Sequence, residues 1–137
     1  MPPEKTTLDR IYLSDYQPPS FLITTTALHF ELSANNTRVR SQLSIRRLSS
    51  DQGSLRLDGE ALVLESIRLD GKELTPNQYT IDDHSLTVHD VPGQFTLQIE
   101  NYISPAANTK LEGLYLSSGN FYTQCEPEGF RRITYFI

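Results

Sequence analysis

From Leu22 onward, apolar and β-branched residues recur at every second position: Leu22, Thr24, Thr26, Leu28, Phe30 and Leu32, with His29 and Glu31 falling between them. A period of two belongs to a strand that buries one face. Asn35-Asn36 reads as a turn. A second alternating run follows, with Thr37, Val39, Ser41, Leu43 and Ile45 inward and Arg38, Arg40, Gln42, Ser44 and Arg46 outward. Two amphipathic runs joined by a short polar turn predict a hairpin. Shorter strands are expected at Ser54 to Leu57 and Leu62 to Leu69, where Asp70-Gly71 is a tight-turn dipeptide. Tyr79 to Ile81 and Leu86 to Val88 flank Asp82-Asp83-His84-Ser85 as a further hairpin. Pro92-Gly93 then introduces a strand carrying Phe95, Leu97 and Ile99.

No apolar set keeps a helical period for three turns. Many short strands separated by turn signals predict an all-β fold, an antiparallel β-sandwich, with residues 1–137 forming one domain. Residues 1–17 are polar and expected to be loosely held, and Pro18-Pro19 delivers the chain in extended form. A last strand is expected over Arg131 to Phe136, with Ile133, Tyr135 and Ile137 on one face. That face is still apolar at the final residue, which reads as a domain continuing beyond it.

Composition narrows the function classes. A net charge of -5 argues against a nucleic-acid partner, which would need clustered Lys and Arg. Arg38, Arg40, Arg46 and Arg47 do cluster, but their alternation with apolar residues reads as the solvated face of a strand. There is one cysteine, Cys125, so the chain forms no internal disulfide and no cysteine-based zinc site. No apolar run approaches the ~20 residues of a membrane helix, and Met1 to Arg10 has no apolar signal-peptide region. The expectation is a cytoplasmic protein with no membrane partner.

Chemistry concentrates near the end of the chain. Between Lys110 and Arg131 there is no basic residue, whereas Glu112, Glu126 and Glu128 fall there, beside Tyr115, Phe121, Tyr122 and Phe130. Carboxylates flanked by aromatic rings suit a small organic cation, because an ion pair strengthens where rings exclude water. An acidic surface loop would have the same composition.

The tract Tyr122-Thr123-Gln124-Cys125-Glu126-Pro127-Glu128-Gly129-Phe130-Arg131 resembles the TQCEAEGFR stretch of the M1 zinc aminopeptidases. Ile103-Ser104-Pro105-Ala106-Ala107-Asn108-Thr109 and Leu111-Glu112-Gly113-Leu114-Tyr115 extend the likeness upstream. The resemblance implies the saddle-like N-terminal β-domain of such an enzyme, truncated at its C-terminal end. It implies that Glu126 grips the free α-ammonium of a peptide substrate and that Gln124 lines the pocket for the first residue. It also implies zinc in the full-length enzyme and docking on that enzyme's own catalytic domain. Here Arg132 follows Arg131 at a position the family pattern varies, so its role is open.

The family's catalytic equipment is not in this chain. The zinc motif His-Glu-x-x-His needs two imidazoles four residues apart on one helix face, and His29, His84 and His89 do not supply that spacing. The Gly-Ala-Met-Glu-Asn recognition motif is also missing. No catalytic residue and no metal ligand is therefore assigned, and the fragment is expected to hydrolyse nothing. Cys125 sits in acidic surroundings and is read as a packed, unreactive thiol. The alternative is an independent β-sandwich binding or adhesion module with no catalytic role.

Overall fold

The computed structural model describes residues 20–49, 53–126 and 129–137; residues 1–17, expected to be loosely held, and Pro127 and Glu128 lie outside that set. Among the described residues, ten strands run in chain order: β1 Phe21–Glu31, β2 Thr37–Arg47, β3 Leu55–Asp58, β4 Val63–Leu69, β5 Lys72–Glu73, β6 Tyr79–Ile81, β7 Ser85–Val88, β8 Gln94–Ile103, β9 Gly113–Ser117 and β10 Asn120–Gln124. They form three antiparallel sheets, ordered β1-β2-β8-β4-β5, β3-β7-β6 and β9-β10. No described helix is long and apolar enough to cross a membrane.

The two larger sheets share one core. Leu43, Ile45, Ile67, Leu97 and Ile99 of the first sheet cluster with Leu55, Leu57, Leu86 and Val88 of the second. The turns agree with their dipeptides. Asp70 and Gly71 both take positive φ, at 50° and 81°, as a two-residue hairpin turn requires. In the β6–β7 turn, the backbone N–H groups of His84 and Ser85 and the Ser85 hydroxyl all donate to the Asp82 carboxylate. These charge-assisted bonds hold Asp82 below the usual carboxylate range.

Two expectations are corrected. In β1 the predicted inward set is wrong at its start: Leu22 is exposed, while Phe21 is buried and Ile23 half-buried; further on, Phe30 of the predicted set is half-buried, although Leu28 and Leu32 are exposed. The cause is a bulge between Ile23 and Thr25, which shifts the pleat by one residue. The second correction concerns the expected strand at Arg131 to Phe136. Gly129–Arg132 is a 3-10 turn, and only Phe136 makes a strand-like bridge, to Asp58. Ile133 and Tyr135 are each 2% exposed, but Thr134 between them is fully buried as well and Ile137 is exposed, so the segment does not alternate. The Ile133 carbonyl is taken by the buried Asn101 side chain, whose Oδ1 accepts from the Thr134 hydroxyl. A side-chain lock thus replaces a ladder. Ile133 joins a second, smaller core with Val39, Ile103 and Leu114, which underlies β9-β10.

Candidate functional site

The acidic-aromatic tract folds as a projecting hairpin, which sequence reasoning did not predict, although Ser118-Gly119 is a turn dipeptide. Both residues take positive φ, at 53° and 80°, and join β9 to β10. Tyr122 stands opposite Tyr115, and their rings stack with centroids 5.8 Å apart. Side chains two apart share a face of a strand, so Gln124 lies on the same face as Tyr122. All five residues of β10 are exposed.

At the base of the hairpin, Gln124 pairs with Gly113. The chain then passes through Cys125 to Glu126 and folds back, with the Gly129 N–H donating to the Cys125 carbonyl at 2.7 Å. Two glycines make this crossing possible. A Cβ on Gly129 would collide with the Gln124 carbonyl oxygen, and one on Gly113 (φ +75°) would lie 2.9 Å from the Arg132 Cβ.

The structure separates Glu112 from Glu126, while Glu128 lies outside the described residues. Glu112 is engaged by Arg132, whose Nε lies 3.1 Å from its carboxylate. Glu126 is exposed and has no ion pair among the described residues. Gln124 is exposed as well, and its Nε2 lies 3.5 Å from the Glu126 carbonyl oxygen. The two predicted substrate-binding residues thus share one exposed rim, joined through the Glu126 main chain. Phe130 does not join them; its ring packs edge-on against Phe136 at 5.0 Å, inside the fold. Cys125 packs on the second core, and burial pushes its thiol above the ordinary range, which disfavours the reactive thiolate.

Beside the base of the hairpin, where Arg132 abuts Gly113, lies an ion network that sequence reasoning missed. Arg132 Nη2 is 2.7 Å from Glu60, and Arg131 Nη2 is 3.3 Å from the same carboxylate. Its members come from distant parts of the chain, so no local signal announces it. Among the described residues no group of three or more His, Cys, Asp or Glu could hold a metal ion. His89 is instead bonded to the hydroxyls of Ser54 and Thr80, and His84 is an exposed turn residue.

No family model matches the chain. Against individual proteins the likeness is extensive. Over 126 residues it is 46% identical to aminopeptidase N of Caulobacter vibrioides and 42% identical to that of Escherichia coli K12, in each case across 92% of the chain. The chain is homologous to the N-terminal region of bacterial aminopeptidase N. It spans only 15% and 14% of the length of these two relatives. Among solved structures, Legionella pneumophila aminopeptidase A in complex with aspartic acid superposes with a TM-score of 0.83 at 28% identity. That match covers 90% of this chain and 15% of the other. A Deinococcus radiodurans M1 zinc metallopeptidase bound to a Tyr-Ser-Ala substrate shares the fold, with a TM-score of 0.68 at 13% identity, over 85% of this chain and 29% of its own. The architecture is that of the N-terminal β-domain of M1 aminopeptidases.

Proposed function

We propose that this chain is the substrate-anchoring β-domain of a cytoplasmic M1 metallo-aminopeptidase, which removes N-terminal residues from peptides by zinc-dependent hydrolysis. In this reading the Glu126 carboxylate binds the α-ammonium of the substrate, and Gln124 borders the pocket for its first side chain. The observation that carries it is Glu126 itself: an exposed carboxylate with no ion pair among the described residues, in a tract homologous to an exopeptidase. A carboxylate of this kind selects chain ends. An internal peptide nitrogen is neutral and cannot offset the desolvation of the acid, whereas a terminal ammonium can.

The described residues do not fit a zinc ion, so no step of hydrolysis is assigned to them. Zinc and the residues that hold it belong to other parts of the full-length enzyme, on whose catalytic domain this β-domain docks.

The test is kinetic. In the full-length enzyme, Glu126→Gln keeps the shape of the side chain and removes its charge. Loss of a charge-assisted hydrogen bond of ~1.5–3 kcal/mol raises KM for free-amine substrates by roughly tenfold or more. An unchanged KM for those substrates would remove Glu126 from the anchoring role.

A further inference from the structure

We propose that Arg132 is a positioning residue for the Gln124–Glu126 rim, acting through the 3-10 turn that follows it; the inference rests on Glu126 being the ammonium anchor. The Arg132 guanidinium joins two carboxylates from separate parts of the fold. Nη2 meets Glu60, just after β3, at 2.7 Å, and Nε meets Glu112, just before β9, at 3.1 Å. Its side chain is 16% exposed and that of Glu60 20%, so solvent screens the Glu60 pair less than it would a surface pair. A planar fork that holds two carboxylates at once also fixes its own rotamer.

The fixed guanidinium transmits its position to the rim by contact. Arg132 belongs to the turn Gly129–Arg132, and its Cβ lies beside Gly113, which pairs with Gln124. At the other end of the turn, the Gly129 N–H bonds the Cys125 carbonyl, one residue from Glu126. The Glu60 backbone N–H also donates to the Arg131 carbonyl at 2.9 Å, so main chain and side chain clamp the same turn to the sandwich. Glu126 itself stands in solvent, with no ion pair among the described residues to orient it. What is held is its main chain, through the Cys125 carbonyl bonded by the turn and the Glu126 carbonyl facing Gln124. A binding group held in advance loses less entropy when the ligand arrives.

The chemistry makes a specific demand on kinetics. An ammonium anchor grips substrate and transition state alike, so misplacing it raises KM and leaves kcat nearly unchanged. In the full-length enzyme, Arg132→Met keeps the stem and removes the fork. It is expected to raise KM for free-amine substrates about tenfold with kcat within about threefold, and Arg132→Lys to recover part of the loss. In the Glu126→Gln background the same change adds less than about twofold, because no anchor remains to be misplaced.

If Arg132→Met does not yield folded enzyme, Glu112→Gln carries the test. That side chain is 45% exposed, so losing its charge removes one arm of the fork and little packing; a severalfold rise in KM is expected. The outcomes separate the two readings. If Glu126→Gln leaves KM unchanged, the anchor reading fails and this proposal fails with it. If Glu126→Gln raises KM but Arg132→Met, or its Glu112→Gln substitute, does not, the positioning role alone is overturned. It is overturned equally if the rise is the same in both backgrounds, since Arg132 would then act on stability and not through Glu126.

Discussion

Tyr135 is 2% exposed in the main core, its ring lying against Gly59, where any Cβ would collide with it. Desolvation pushes its hydroxyl up to about 12, from an ordinary value of 10.0. Above pH 10 an unfolded chain would release this proton while the folded one retains it. The unfolded state then binds fewer protons, so stability falls as pH rises from 10 to about 12, by ~1.4 kcal/mol per pH unit. Below pH 10 both states are protonated, and the group contributes no slope. Urea unfolding across that window should therefore show a declining midpoint that Tyr135→Phe makes shallower; an identical decline in the variant would exclude this phenol as the source. Alternation marked Tyr135 as inward-facing, but depth of burial was not legible, because Gly59 lies far away in sequence. For Glu126 and Gln124 the reverse holds: their candidacy was legible in a short contiguous tract.

The β9–β10 hairpin depends on backbone crossings at its base more than on its tip. Gly129 and Gly113 approach so closely that Gly129→Ala must displace the Gln124 carbonyl or break the bond to Cys125. Overpacking of this kind costs roughly 1–3 kcal/mol. Gly129→Ala is therefore expected to lower the denaturant midpoint and, in the full-length enzyme, to raise KM. An alanine variant with unchanged stability and KM would show that the crossing tolerates a methyl group. Turn dipeptides located the Asp70-Gly71 and Asp82–Ser85 hairpins, since their chemistry is local. The strand expected at Arg131 to Phe136 failed for one local and one non-local reason. Asn101 and Phe130 take hydrogen bonds that a neighbouring strand would have used.

At the scale of the molecule, the chain shares 92% of its length with aminopeptidase N yet spans about 15% of that protein. The isolated 137-residue chain is expected to release no amino acid from an aminoacyl p-nitroanilide, whereas under the proposed function the full-length protein is expected to do so. Hydrolysis by the isolated chain would refute that division of labour. The homology also weighs against a free-standing adhesion module, the other reading its strands allowed. By itself the sequence determined an antiparallel β fold, most strand positions and the exposed carboxylate tract, because strand period, turn chemistry and a contiguous motif are all short-range properties. Only the tertiary structure decided the pleat of β1, the fate of the last segment, and the joining of Glu60, Arg132 and Glu112 beside the base of the hairpin. Each of these turns on which distant groups meet, and chain-wide packing governs that.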